Sequence, residues 1–550
     1  MTEGRLMRWS RRWPPERVVP LSFPIIGIFI VVLFVNIITP SQQPLDQPPT
    51  APSSTLERSD AIKAAFDFAW DGYYKLAFPH DELKPVSNTP GTSRNDWGAT
   101  AVDALGTAVL MDKKNIINIV LEHVAQTDFT HTNTSISVFE STIRYIGGLL
   151  SAYELLSGPF QRSVPAGFNL NILLEKAVNL ADLLSKAFGE GKNLPSGMLD
   201  PKTLQGNGEN SLAGAGSLVL EWTILSNLVG NSTYANLTQL AQSFLMNPTP
   251  KKAESFPGLV PTEIDIASGS FLKGTVTWGG SADSFYEYLL KMFVYDPKSF
   301  GLYRDRWVQA ADSTIRYLAS SPKKFPNITF IGRYGQNGFI PESGHMECFA
   351  GGNFILGGTV LNETRYTEFG LRLIDGCHHT YASTKTGIGP EQFKWEPNQC
   401  QQQQVAPTWS CDGPQNPEDQ AMNNASGIWI TEPSYNLRPE TLESYYYAYR
   451  LTKDQKYRDW AWDAWLAIDK GTRLENGYSY LRNVNVPDDQ RWYGDNQESF
   501  LFSETFKYLF LIFDDGDGEW HVSGTGTNKW VYNTEAHPLR TKKFYERLTK

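Results

Sequence analysis

The sequence predicts a mostly α-helical fold built from stacked or ring-arranged helical hairpins. Apolar residues recur at three- and four-residue spacing in several long segments, strands with hairpin signals are few, and no heptad seam runs through the helical stretches. In SVFESTIRYIGGLLSAYELLSG, Phe139, Ile143, Ile146, Leu150 and Tyr153 mark one helical face. The segments ADSFYEYLLKMFVY, PETLESYYYAYRLT and ESFLFSETFKYLFLIF repeat the pattern. With 550 residues, 41% hydrophobic and 13% aromatic, the chain can bury a large core and is not a disordered protein.

The elements follow in order. Leu21 to Ile38 is an uncharged apolar run, which as a helix reaches roughly 27 Å, enough to cross a thin bilayer. Arg5, Arg8, Arg11, Arg12 and Arg17 precede it, whereas residues 39–60 carry only Arg58 as a positive charge. The positive-inside rule therefore makes 1–20 a cytoplasmic tail, 21–38 a signal anchor and the remainder lumenal. The rival is a cleaved signal peptide, against which stand the length of the run and the lack of a small-x-small site in ITPSQQP. Residues 39–58, rich in Pro, Gln and Ser, read as an extended stem, and 59–550 as one globular domain. Sequons at Asn133, Asn231, Asn236, Asn327, Asn362 and Asn424 agree with a lumenal chain. Cys348, Cys377, Cys400 and Cys411 lie in one window, and in an oxidising lumen they imply two local disulfides with three pairings open.

Composition excludes several functions. The net charge of −10 argues against nucleic-acid binding, which needs a basic surface. The chain has no HExxH, no paired CxxC and no P-loop, which removes the common zinc, redox and NTPase chemistries.

Acidic residues cluster near helix starts among aromatic neighbours: Glu140 in FESTIR, Asp283 in ADSFYEY, Glu440 and Glu443 in LRPETLES, Glu498 and Glu504 in NQESFLFSETF. Each alone reads as a helix cap, because first-turn carboxylates meet free N–H groups and the positive end of the dipole. As a set, with Arg144 and Arg438 close by, they suggest a cavity at the mouths of ring-arranged helices. A glycosidase needs such a site, with one protonated acid, one base for water and aromatic walls. His345 and His537 read as hydrogen-bonded structural or sugar-contacting residues.

The segments FESTIRYIGGLLSAYELLSG, GGSADSFYEYLLKMFVYDP, GHMECFAGGNFILGG, TGIGPEQFKW, LRPETLESYYYAYRLT, ESFLFSETFKYLFLIF and NTEAHPL occur in that order. Together they resemble the successive motifs of class I α-1,2-mannosidases, glycoside hydrolase family 47, from about Ala65 to Leu539. VLEWTILSNLVG and the DSFYEYL spelling are most similar to the fungal branch. The resemblance implies an (αα)7 barrel, a bound Ca²⁺, and removal of terminal α-1,2-linked mannose from high-mannose N-glycans with inversion. It places Glu140 as general acid, Asp283 as a second acid and base candidate, and Glu440 as the base acting on water. Arg438, Glu498, Glu504 and Glu221 are implied at the substrate, although for Glu221 in VLEW a buried structural acid fits nearly as well, and Thr534 at the Ca²⁺ through its carbonyl and hydroxyl oxygens. Ser281 stands where relatives that stop after one mannose carry an Arg, which implies room for further branches. Cys348 and Cys377 match the family's disulfide. Cys400 and Cys411 flank CQQQQVAPTWSC, and their pairing rests on proximity. At Ala213-Gly214, where many relatives have Ala-Glu, no role carries over.

Two other classes were weighed. A lectin-like or partner-dependent member of the family in glycoprotein quality control is disfavoured because the main acids are present. A helical scaffold leaves the acids unexplained. The expectation is a monomeric, single-pass type II enzyme of the Golgi or endoplasmic reticulum membrane, with no nucleic-acid partner and with the choice of compartment open.

Overall fold

A computed structural model describes residues 54–398 and 411–542. The expected tail (1–20), anchor (21–38), most of the stem (39–58) and Cys400 lie outside the described residues. The first helix, Thr55–Leu76, begins inside the segment expected as stem. Its start is set by a capping box: Ser54 Oγ accepts from the Glu57 N–H at 3.2 Å, and Glu57 Oε2 accepts from the Ser54 N–H at 3.0 Å.

Among the described residues the main helices form seven antiparallel pairs. The inner members are Ala99–Leu110, 138–156, Leu212–Val229 (with a short break at Ser217), Asp283–Tyr295, Phe349–Leu361, Glu440–Thr452 and 501–513. Each packs against its inner neighbours, and 501–505 returns to Ala99–Leu110, closing the ring. Six outer helices follow their inner partners in sequence: Lys114–Gln126, Asn171–Leu184, Thr233–Met246, 301–318, Thr364–Ala382 and Lys456–Thr472. The seventh outer position is filled by Thr55–Leu76, which packs on 501–513. The chain is therefore an (αα)7 barrel, as the resemblance implied.

Sequence separates the two rings. Inner helices such as ATAVDALGTAVL are buried along their whole length, whereas KNIINIVLEHVAQ buries only its Ile116, Ile117, Val120, Leu121 and Val124 stripe. Most inner-to-outer links are short turns such as 362–363 and 453–455, with 157–170 an exception, while most outer-to-inner links are long. Most of the β-structure sits in these long links, as strands of two to five residues, too short for alternation to register in the sequence. The largest such sheet is three-stranded and antiparallel: Glu342–Gly344, Gln392–Trp395, Ile428–Glu432. All seven inner helices thus start at one end of the barrel, under these loops.

After the last inner helix the chain forms a hairpin, Trp530–Tyr532 against Pro538–Arg540, with Val531 opposite Leu539. Its turn, residues 533–537, is driven into the barrel. Room for it comes from Gly147, where a Cβ would fall 2.5 Å from Asn533 Nδ2.

Cys348, at the start of an inner helix, is disulfide-bonded to Cys377 on its outer partner, Cα to Cα 6.0 Å. Cys411 is disulfide-bonded as well. A bond spanning 29 residues of sequence restricts the unfolded chain, so the Cys348→Ala/Cys377→Ala pair is expected to lower stability by about 2–4 kcal/mol in denaturant unfolding. An unchanged unfolding midpoint would contradict this.

Candidate active site

A cavity of about 410 Å³ opens at the end where the inner helices start. It gathers Glu140, Asp283, Arg438, Glu440, Glu498, Glu504 and Thr534 from seven sequence-predicted positions, together with Arg94, Arg144, Glu287, Glu443 and Glu535. Phe139, Phe349 and Phe500 supply apolar wall. Concavities on the outside are larger, up to about 840 Å³, but that one brings Glu418 and Asp419 together with Lys385 and His379.

Local winding places the acids. Glu140 follows a turn capped by Ser137, whose Oγ accepts from the Glu140 N–H at 3.3 Å. The next six residues, Ser141–Ile146, are π-helical, and the Ile143 carbonyl accepts from Asn533 Nδ2 at 2.9 Å. Glu504 lies in a second π-helical segment, Leu501–Thr505. Such wide turns are common at functional sites, where they redirect side chains and release carbonyls. Asp283 and Glu440 each occupy the first position of an inner helix.

Their charge states differ because their neighbours differ. Glu140 Oε2 accepts from Arg144 Nε at 2.7 Å and lies 3.4 Å from Arg94 Nε. Burial alone would raise this carboxyl, but the two guanidiniums outweigh it and hold Glu140 below its ordinary value. Glu440 Oε2 lies 2.8 Å from His345 Nδ1, and Oε1 lies 3.6 Å from Arg438 Nη1. Here too burial is outweighed, by the His345 hydrogen bond and the Arg438 charge, and the carboxyl is held low. Asp283 Oδ1 accepts from the Ser284 N–H at 2.8 Å. Burial pushes Asp283 up to about 7, with repulsion from Glu287 and Glu347 adding to it and the Ser284 bond only partly offsetting it. Burial likewise pushes Glu443 up to about 8, although Tyr508 donates to it at 3.1 Å and the nearby Lys291 opposes the shift. Glu504 is raised well above the carboxylate range by burial and by Glu535, Glu440 and Glu443.

Two predicted residues lie elsewhere. Glu221 is fully buried behind the wall, bonded to Tyr288 and Asn533. Ser281 is exposed with a backbone φ of +74° and lines a separate groove of about 810 Å³ with Asn210, Thr262, Glu263 and Asp265. His345 is the buried partner of Glu440, with its Nε2 2.7 Å from the Tyr381 hydroxyl, while His537 is buried against Asp103 at 3.3 Å. Sequence reasoning missed Arg94, Glu287 and Glu535 as cavity residues. Glu287 follows Asp283 by one helical turn and Glu535 follows Thr534, so both were visible in motifs already singled out. Arg94 sits in an irregular loop with no periodic signal. That loop is shaped by the buried Asp81 carboxylate, which accepts the N–H groups of Arg94, Asp96, Trp97, Gly98 and Ala99 at 2.6–3.1 Å.

The cavity lining holds eight carboxyl groups and three guanidiniums, an excess of hard anionic oxygen that suits a divalent cation of the calcium type. Among the described residues no three His, Cys, Asp or Glu side chains converge into a ligand cage. An ion beside Thr534 would therefore take protein oxygen from Thr534 and reach the acids through water.

A family model for glycosyl hydrolase family 47 matches residues 65–541. The chain is 49% identical over 491 residues to a mannosyl-oligosaccharide alpha-1,2-mannosidase of Coccidioides posadasii, covering 88% of this chain and 91% of that one. It is 49% identical over 489 residues to mannosyl-oligosaccharide alpha-1,2-mannosidase 1B of Aspergillus phoenicis, covering 88% and 92%. Among solved structures, the alpha-1,2-mannosidase from Trichoderma reesei superposes with a TM-score of 0.85 at 43% identity, covering 89% of this chain and all of that one.

The raised carboxyls bear on stability. A group raised in the folded state stabilises below its unfolded value, and that contribution is lost as pH rises through the folded one. For Glu443 the window runs from about 4.5 to about 8. In chelator, Glu443→Gln should match the parent's melting temperature near pH 4 and exceed it at pH 8. Equal melting temperatures at both pH values would contradict the assignment.

Proposed function

Because the chain belongs to glycosyl hydrolase family 47 and is a glycoside hydrolase of the α-1,2-mannosidase kind, we propose that it trims terminal α-1,2-linked mannose from high-mannose N-glycans in one inverting step. The observation that carries the reading is the convergence, in one cavity, of Glu440, held low by His345 and Arg438, with a buried Asp283 whose carboxyl is pushed up to about 7. Glu440, fixed by His345 and Arg438, takes a proton from water as that water attacks the anomeric carbon. Asp283 gives its proton to the glycosidic oxygen as the C–O bond breaks. One displacement inverts the configuration. Inverting pairs stand roughly 6.5–9.5 Å apart, a gap open to acids on different helices and closed to Glu440 and Glu443 on one turn.

The resemblance implied Glu140 as the acid. Its two guanidinium partners favour the ionised form, so in this reading Asp283 is the proton donor and Glu140 is a fixed negative charge facing the developing oxocarbenium ion. Calcium fits beside Thr534, whose carbonyl and hydroxyl are hard donors, and when bound there it would supply a grip on vicinal sugar hydroxyls. Arg438, Glu498 and Glu504 would meet the sugar in the same cavity. The alternative of a lectin-like family member is not favoured, since an intact acid–base set has no use in mere binding.

The apolar run 21–38 and its upstream arginines support a single-pass type II protein of the Golgi or endoplasmic reticulum membrane, acting as a monomer on lumenal glycoproteins. The groove beside Ser281 supports tolerance of more than one branch.

Asp283→Asn and Glu440→Gln should each lower kcat by a factor on the order of 10²–10⁴. Asp283→Asn should also erase the fall in activity as pH rises through about 7, because that fall tracks loss of its proton. A retained alkaline limb in Asp283→Asn, with Glu140→Gln removing it, would return the acid's role to Glu140. Exhaustive digestion of a nine-mannose glycan is expected to run down to five mannoses. Accumulation of a single eight-mannose isomer would show that the Ser281 groove admits no second branch.

A further inference from the structure

Glu221 was expected at the substrate, yet its carboxylate is fully buried in the inner ring and does not line the cavity. Both hydrogen bonds it makes lead to one place. Oε1 accepts from Asn533 Nδ2 at 2.8 Å and from the Tyr288 hydroxyl at 2.5 Å. The Tyr288 oxygen in turn accepts from the Thr534 N–H at 3.2 Å. Asn533 passes the constraint on, because its Oδ1 accepts from the N–H groups of Glu535 and His537 at 3.0 and 2.8 Å. No cation pairs with Glu221 among the described residues, and its Oε2 has no hydrogen-bond partner. Burying a carboxyl in this way costs more than an apolar side chain of the same size would. Packing alone therefore does not account for it.

The turn has independent supports. The hairpin strands hold its base, and Lys507 Nζ donates to the Ala536 carbonyl at 2.7 Å. The contribution specific to Glu221 is thus not whether the turn exists but where its first two residues point. We propose that Glu221 is a positioning residue for the ion site: through Tyr288 and Asn533 it fixes the peptide of Thr534 so that the threonine carbonyl and hydroxyl face the cavity together. The inference rests on the calcium reading above. Residues that orient a ligand from behind typically control metal affinity by 10–100-fold.

The test is calorimetric titration of the full-length chain with CaCl₂ after chelation, in parallel with melting curves in chelator and in Ca²⁺. Glu221→Gln and Tyr288→Phe should each raise the Kd for Ca²⁺ by about 10–100-fold and shrink the Ca²⁺-induced rise in melting temperature. Tyr288→Phe should retain the parent's melting temperature in chelator, and it answers the question alone if Glu221→Gln fails to fold. A Kd within twofold of the parent in a folded variant, with stability lowered equally with and without Ca²⁺, would make the role purely structural and overturn the inference. If the parent chain itself binds no Ca²⁺, the calcium reading falls first and this inference with it.

Discussion

Arg144 is almost fully buried, yet its guanidinium meets side chains from four parts of the chain: Glu140 one turn before it, Asp103 on the first inner helix, Ser499 ahead of the last, and Glu535 in the C-terminal turn. A buried charge is tolerated only when its partners are well placed, and removing one side of such a cluster leaves the others uncompensated. Here one cation is shared among three carboxylates. It therefore fixes the first, second and last inner helices and the terminal turn relative to one another. Glu440 has a counterpart in Arg438 and is held low, whereas at Asp283, Glu443 and Glu504 burial prevails and drives the carboxyl toward the neutral form.

Such a concentration of carboxyls would be hard to assemble in an ordinary core. The barrel makes it tolerable through direction. All seven inner helices run the same way, so their N-termini, with unpaired N–H groups and the positive ends of their dipoles, converge on one end. Asp283 and Glu440 occupy first helical positions, and Glu140 and Glu504 follow within a turn or so of helix starts. At the opposite end the same helices present their C-termini, with unpaired carbonyls and the negative ends of their dipoles. Capping and catalysis are therefore not rival accounts of these acids. The dipoles that favour a carboxylate at each helix start also bring the starts together.

Much of this was legible. Helical periodicity exposed the inner helices, the first-turn acids marked the cavity, and motif order identified the hairpin ring. The π-helical widening after Glu140 was not legible, and the Ile143 carbonyl within it is bonded by Asn533 from 390 residues away. Arg94 was hidden in a loop shaped by Asp81. For Glu221 the sequence left a substrate contact and a buried structural acid open, and its tertiary surroundings decide for burial. Ser281 stands two residues from Asp283, but its left-handed backbone sends it outward to a neighbouring groove. In each case the missing information was the direction of a side chain, which spacing along one element does not contain.

Asp283 and Glu440 are both largely withdrawn from water, so burial alone cannot set them apart; the partners do. Glu440 is held low by the hydrogen bond from His345 Nδ1 and by the Arg438 charge, and the other ring nitrogen, Nε2, lies 2.7 Å from the Tyr381 hydroxyl. His345 lies three residues before Cys348, and Tyr381 lies one helical turn after Cys377. The disulfide therefore clamps the same inner and outer elements that present the histidine and the tyrosine. Without it, His345 would be placed by non-covalent contacts alone, among them its N–H donation to the Glu391 carbonyl at 3.1 Å and its ring contacts with Glu440 and Tyr381. A Glu440 carboxylate freed of the His345 bond, with burial unchanged, keeps Arg438 to hold it low, and the difference between the two acids narrows. The covalent link thus joins the two elements whose side chains set the surroundings of Glu440 and so its contrast with Asp283.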